Sequence, residues 1–127
     1  GFARQARNAH NKRMGHLASL LEKHGVIVLA SFISPYRSSR AAARSFCRNF
    51  FEIYLSARLP ECEGRDVKGH YRRARAGRLP KFTGIGDGYE PPLKPELSID
   101  TGHQTPEASF ERLRPLLDRL ARGVRRK

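Results

Sequence analysis

The sequence predicts an α/β fold organised around a parallel sheet. Two short apolar runs, "VIVLASF" at 26–32 and "FFEIYLS" at 50–56, sit between stretches of helical composition, the alternation that parallel sheets require. A third short strand, "LSID" at 97–100, is followed by one more helix. At 127 residues the chain is about one domain. With 39% hydrophobic residues and no Trp, its core should be modest.

Each element has its own signal. From Ala3 to His24, Met14, Leu17, Ala18, Leu20 and Leu21 recur at helical spacing, and Gly25 is a natural C-terminal stop. The run 26–32 follows that glycine directly, is β-branched at its start, and reads as a buried strand. "SPYRSSRAAARSFC" returns to helical composition before the strand at 50–56, and a basic helical stretch follows at about 58–77. A Gly/Pro-rich loop, "FTGIGDGYEPPLKPE" at 82–96, precedes "LSID". The last helix spans about Pro106 to Arg122, with Phe110, Leu113, Leu116, Leu117 and Leu120 on one face. The terminal "RGVRRK" reads as a solvated tail.

Charge narrows the partner but does not choose it. Twenty-five Lys and Arg against twelve Asp and Glu give a net charge of +13, which favours phosphate, sulfate, nucleic acid or an anionic membrane surface. The stretch "RDVKGHYRRARAG" at 65–77 concentrates Arg65, Lys68, Arg72, Arg73 and Arg75. Cys47 and Cys62 lie in no CxxC or Cys/His pattern of metal-ligand spacing, and read as free thiols in a reducing compartment. The apolar run "VIVLA" is far shorter than the ~20 residues of a membrane span, and no signal-peptide pattern opens the chain. A soluble, cytoplasmic protein without a membrane partner is the expectation.

In a parallel sheet, ligands bind beyond the C-terminal ends of the strands. The segments placed there are "ISPYR", "ARLPECEGRDVKG" and "TGHQTP". They supply Ser, Arg, Lys, Gln and Thr, donors suited to anions. No Ser-His-Asp or Cys-His arrangement stands out, and the five histidines are scattered.

The wording of these segments is more specific than their composition. "FISPYR", then "RDVKGHYRRARAG", "KFTGI" and "YEPP" with "PEL", in this order, closely resemble the adenylyl-sulfate kinases. These are P-loop kinases that phosphorylate the 3′-hydroxyl of adenosine 5′-phosphosulfate with ATP. The opening "GF" with Arg7 and "HNKRMGHLA" is similar to the family's stretch of Phe, Arg and usually Asn, so the resemblance covers essentially the whole chain.

The resemblance implies a three-layer α/β/α P-loop kinase fold and a set of site residues. Phe2 and Phe82 correspond to two phenylalanines that sandwich the substrate adenine, with Lys81 beside the second. Arg7 matches the arginine that holds the phosphosulfate, where a planar fork suits tetrahedral oxyanions. At position 10 the family usually has Asn; here His10 stands with Asn11 next to it, and imidazole still donates one hydrogen bond. Ile33 and Ser34 would approach the substrate at the end of the first strand. Lys68, with the arginines behind it, matches a lid that closes over phosphates, with His70 where the family has an apolar Leu. "TGHQTP" matches the region contacting the ATP adenine through backbone groups near Gln104; it reads equally as a strand-to-helix loop with Thr105 as N-cap. ATP and Mg²⁺ are the implied cofactors. The resemblance also admits a homodimer, and fusion to or association with an ATP sulfurylase.

Two motifs of such a kinase do not occur in this sequence. It contains no GxxxxGK[ST] loop and no "DGDN" segment, whose aspartate assists the attacking hydroxyl in the family. We therefore expect residues 1–127 to be a single partial domain, the C-terminal two-thirds of an adenylyl-sulfate kinase. It would lack the first two strands and the Walker A loop, its catalytic residues would precede Gly1, and it would be inactive by itself. The competing readings are a basic nucleic-acid-binding module and a degenerate, non-catalytic paralogue. The nucleic-acid reading is weakened because the aromatics do not interleave with the basic residues in a recognisable binding motif.

Overall fold

The computed structural model of the chain describes residues 3–57 and 88–125. Phe2, Cys62, Lys68, His70, Lys81, Phe82 and the basic stretch 58–77 lie outside the described residues.

Helix α1 (Arg4–Lys23) forms where the sequence carries long, unbranched side chains and no proline. It ends in a Schellman motif. Gly25 takes φ +78°, its amide bonds the Glu22 carbonyl at 3.0 Å, and the Val26 amide reaches back to the Leu21 carbonyl at 3.2 Å. Only glycine adopts that backbone without strain, so the stop read from the sequence is a physical one.

Helix α2 (Arg37–Phe46) packs on α1. The close approach is at Gly15, where a Cβ would meet Phe46 at 3.0 Å and the Ala43 Cα at 3.1 Å. His16 stacks on Phe46 with ring centroids 3.9 Å apart. The Arg4 guanidinium lies 4.0 Å over the ring of Tyr36, which is buried just before α2. The Ser39 hydroxyl donates to Asn8 Oδ1 across the same helix pair.

Strands β1 (Ile53–Ser56) and β2 (Leu97–Asp100) pair in parallel. The register sets Ile53 opposite Leu97 and Leu55 opposite Ile99. The Thr101 amide extends the ladder to the Ser56 carbonyl at 2.8 Å. Helix α3 (Pro106–Arg125) then packs against β2. Thr105 caps it, its Oγ1 accepting the Ala108 amide at 3.1 Å, and Pro106 occupies the first turn, where its missing N–H costs nothing. Pro115 sits inside α3 and removes one intrahelical hydrogen bond there. Ile99 of β2 and Leu116 of α3 are buried, and with Tyr36 they make a small apolar core among the described residues.

The run 26–32 departs from the sequence-based expectation of a buried strand. It forms no ladder among the described residues, whose sheet is two-stranded. Its side chains are uncovered, with Leu29 75% exposed and Phe32 43% exposed. A parallel strand is buried only when neighbours flank its edges and helices cover its faces. Since β1 takes β2 as its described neighbour, apolar composition does not by itself bury this run.

Candidate functional site

The site is built around a turn that joins the 26–32 run to α2. Ser34 adopts φ +42°, the left-handed region, although it precedes Pro35, a context that favours extended backbone. Such a residue persists only when its surroundings over-determine it. Here they do so from two sides. The Ser34 hydroxyl donates to Asn11 Oδ1 on α1 at 3.4 Å, and the Ser34 carbonyl accepts from Arg40 Nη1 on α2. Pro35 and Tyr36 behind the turn are buried.

On α1, positions 7 and 11 share a face one turn apart. Arg7 is therefore placed one turn N-terminal to the Asn11 contact with Ser34, and it is half-buried. His10, on the adjoining face, is exposed and meets Phe32 edge-on with ring centroids 5.2 Å apart. Asn11 is buried, and its Nδ2 has no hydrogen-bond partner among the described residues. Buried polar groups are nearly always paired, so this amide is a donor that a ligand or a water would satisfy.

Glu90 closes the turn from the opposite direction. Its amide bonds the Pro35 carbonyl at 2.8 Å, and its carboxylate accepts the Arg37 amide at 2.8 Å. Tyr36 offers α2 no side-chain cap, so Glu90 serves as a cap from a distant part of the chain, with its charge at the positive end of the helix dipole. Arg37 Nε returns to the Pro91 carbonyl at 2.8 Å. Arg40 Nη2 donates to the Glu90 carbonyl, and Arg40 Nε pairs with Glu52 at 3.0 Å.

One turn further along α2, Arg44 bonds Glu96 at 2.7 Å, and Glu96 also accepts the Glu52 amide at 2.5 Å. Burial pushes the Glu96 carboxyl up, but the Arg44 and Glu52 hydrogen bonds outweigh it, and the group rests below its usual range. The hydrogen bond to Glu96 also raises the Arg44 guanidinium, so the two partners agree in sign. A depressed folded-state carboxyl stabilises the fold above the ordinary glutamate value of about 4.3 and loses that contribution as pH falls through its lower folded value. Thermal unfolding followed from pH 6 to 3 should therefore show Glu96→Gln less stable than wild type at the upper end. The two curves should converge at the lower end, whereas parallel curves would remove Glu96 from the acid dependence.

An open cleft of about 400 Å³ runs along α2 between Arg37, Arg40 and Arg44 and the 92–96 segment. Its arginines are engaged by the partners just described, and Arg7, His10, Ile33, Ser34 and Gln104 do not line it. Cys47 nearby carries a free thiol. Burial, reinforced by Glu22, pushes that thiol up and keeps it protonated at neutral pH.

The loop after β2 is ordered by Asp100. One carboxylate oxygen accepts the Gly102 amide at 3.0 Å, and the other meets His103 Nδ1 at 2.6 Å. The His103 contact holds the Asp100 carboxyl below its usual range. Gln104 follows in the same loop, and its Oε1 is buried without a hydrogen-bond partner among the described residues. Thr105 is the N-cap of the strand-to-helix loop, as its sequence indicated.

Residues 1–100 match the family model for adenylylsulphate kinase. The chain belongs to the adenylyl-sulfate kinase family. It is 47% identical over 120 residues to the adenylyl-sulfate kinase of Rippkaea orientalis, covering 94% of this chain and 66% of that one. The adenylyl-sulfate kinase of Microcystis aeruginosa is 48% identical over 113 residues, covering 89% of this chain and 62% of its own length. The chain thus spans just under two-thirds of these relatives. Among solved structures, the Mycobacterium tuberculosis APS kinase CysC in complex with AMPPNP and APS superposes with a TM-score of 0.84 at 36% identity, over 93% of this chain and 70% of that one. The α/β fold with a parallel sheet is therefore that of the family.

Within this family member the structure brings some of the expected site residues together. Ile33 and Ser34 lie on the left-handed turn, Ser34 touches Asn11, and His10 reaches Phe32 beside them. Gln104 sits beyond the C-terminal end of β2. Sequence reasoning missed Arg40 and Glu90, and it passed over Asn11 as a neighbour of His10. Asn11 had a usable signal, an amide at a position where helical periodicity places a buried residue, and Glu90 lay inside the motif "YEPP" without a role attached to it.

Proposed function

We propose that this chain forms the larger part of an adenylyl-sulfate kinase. The γ-phosphoryl group of ATP is transferred to the 3′-hydroxyl of adenosine 5′-phosphosulfate, giving ADP and 3′-phosphoadenylyl sulfate. The observation that carries this reading is the family match over residues 1–100, which includes the Ile33–Ser34 turn.

In this reading Phe2 and Phe82 stack on the substrate adenine, each worth roughly 1–3 kcal/mol by analogy with base stacking. Arg7 forks onto the phosphosulfate, while His10, Ile33, Ser34, Lys68 and Lys81 complete the substrate side. Gln104 lies against the ATP adenine, where its Oε1, without a partner among the described residues, can accept an exocyclic amino proton. The chain's own contribution is to bind and orient the hydroxyl-bearing substrate, since positioning and charge stabilisation supply most of the rate in phosphoryl transfer. The phosphate cradle comes from a GxxxxGK[ST] loop outside residues 1–127. Among the described residues no three His, Cys, Asp or Glu side chains cluster to hold a metal, so Mg²⁺ coordination is assigned to none of them. Nor is any helix among these residues long and apolar enough to cross a membrane.

The test is a chimera in which the N-terminal third of the Rippkaea orientalis relative precedes Gly1. Incubated with ATP, Mg²⁺ and adenosine 5′-phosphosulfate, it should form 3′-phosphoadenylyl sulfate, and Lys68→Ala should lower the rate. A folded chimera that makes no product would overturn the reading. So would affinity for DNA that falls steeply with salt and is indifferent to adenosine 5′-phosphosulfate.

A further inference from the structure

We infer that Arg40 is the positioning residue of the substrate-side turn. It holds Ser34 in its left-handed conformation and locks the turn to Glu90 and Glu52, so that the presentation of Ile33 and Ser34 to the sulfate-bearing nucleotide depends on a side chain that does not touch the substrate. The part concerning substrate rests on the kinase reading above.

Three acceptors from distant parts of the chain converge on one guanidinium. Nη1 donates to the Ser34 carbonyl, Nη2 to the Glu90 carbonyl, and Nε to Glu52 Oε2 at 3.0 Å. The Arg40 side chain is only 11% exposed and that of Glu52 17% exposed, so the Arg40 charge depends on Glu52 for compensation, while Glu52 also has Arg44 at 4.0 Å. The Arg40 guanidinium also lies 5.5 Å from the ring centroid of Tyr89, which limits its sideways movement. A planar fork with fixed donor directions can satisfy three acceptors at once, whereas an ammonium on a flexible stem acts as a point charge.

The consequence for Ser34 follows from its backbone. Left-handed φ at a serine before proline is a strained state held by its contacts. The Asn11 contact at 3.4 Å is long, which leaves the Arg40 bond to the Ser34 carbonyl as the stronger restraint. Lysine at position 40 keeps the charge opposite Glu52 and abandons one or both carbonyls. The turn then relaxes toward extended backbone while the α1–α2 packing through Gly15 stays in place.

Two measurements on Arg40→Lys test this. In the chimera, KM for adenosine 5′-phosphosulfate should rise about tenfold, the effect of roughly one hydrogen-bond restraint, with KM for ATP and the thermal midpoint nearly unchanged. Equal changes in both KM values, or a loss of activity that tracks the thermal midpoint, would overturn the proposal in favour of a merely structural role. In the 127-residue chain itself, hydrogen exchange should accelerate at the Arg37 and Glu90 amides and stay unchanged in the middle of α1. Unaltered exchange at those two amides would overturn the lock whether or not the chimera is active. An inactive wild-type chimera whose chain still shows the accelerated exchange would instead refute the kinase reading and leave the lock standing.

Discussion

Arg7→Ala should lower kcat/KM for adenosine 5′-phosphosulfate by about 10- to 100-fold in the active chimera, the equivalent of one charge-assisted contact of roughly 1.5–3 kcal/mol. The reasons are position and chemistry. Arg7 lies on the face of α1 that carries Asn11, one turn before the contact with Ser34, and a guanidinium fork pairs two donors with two oxygens of a tetrahedral anion. Arg7→Lys should recover only part of the loss, because charge without the fork keeps the attraction and loses the bidentate geometry. Steady-state kinetics with each substrate varied separately will show whether the loss is confined to the sulfate nucleotide. Full activity in a folded Arg7→Ala chimera would remove Arg7 from the site.

Ile99→Ala should destabilise the protein by about 2–5 kcal/mol, the range for truncating a buried aliphatic side chain to alanine. Ile99 is 2% exposed, and it stands in the middle of β2 against Leu55 of β1, with α3 packed on β2. With so few buried apolar side chains in the described core, little can move in to fill the space. Since folded domains are stable by only about 5–15 kcal/mol, denaturant unfolding of the variant should show a much lower midpoint. In the 127-residue chain Leu29→Ala is the internal control, because Leu29 is 75% exposed there and its loss should leave the midpoint nearly unchanged.

Much of the secondary structure was legible because its signals are local. Gly25 ended the first helix where the chain needed positive φ, Thr105 and Pro106 opened the last one, and "LSID" forms the strand its pattern indicated. The strand expected at 50–56 begins only at Ile53. Phe50 and Phe51 precede it, under Arg44 and Arg119 respectively, contacts that a β-propensity does not register. The run 26–32 shows the deeper reason. Helices satisfy their own backbone bonds within a segment, whereas a strand exists only in relation to its neighbours.

The candidate site divides along the same line. Arg7, His10, Ile33 and Ser34 were singled out as candidates because the motifs around them are contiguous in sequence. Arg40 was not, since its role is defined by acceptors at residues 34, 52 and 90 that meet only in the folded chain. Glu90 belongs to the motif "YEPP", but nothing local in that motif shows that it becomes the cap of a helix beginning at Arg37.

By itself the sequence determined the α/β class, the end of the first helix and the start of the last, the basic character and the family, all of which reside in local pattern or in contiguous motifs. Only the tertiary structure decided which apolar run is paired among the described residues, how Ser34 is held in a left-handed turn, and which guanidinium holds it. Burial, pairing and backbone strain depend on groups brought together from distant positions, and no local window of the chain contains them.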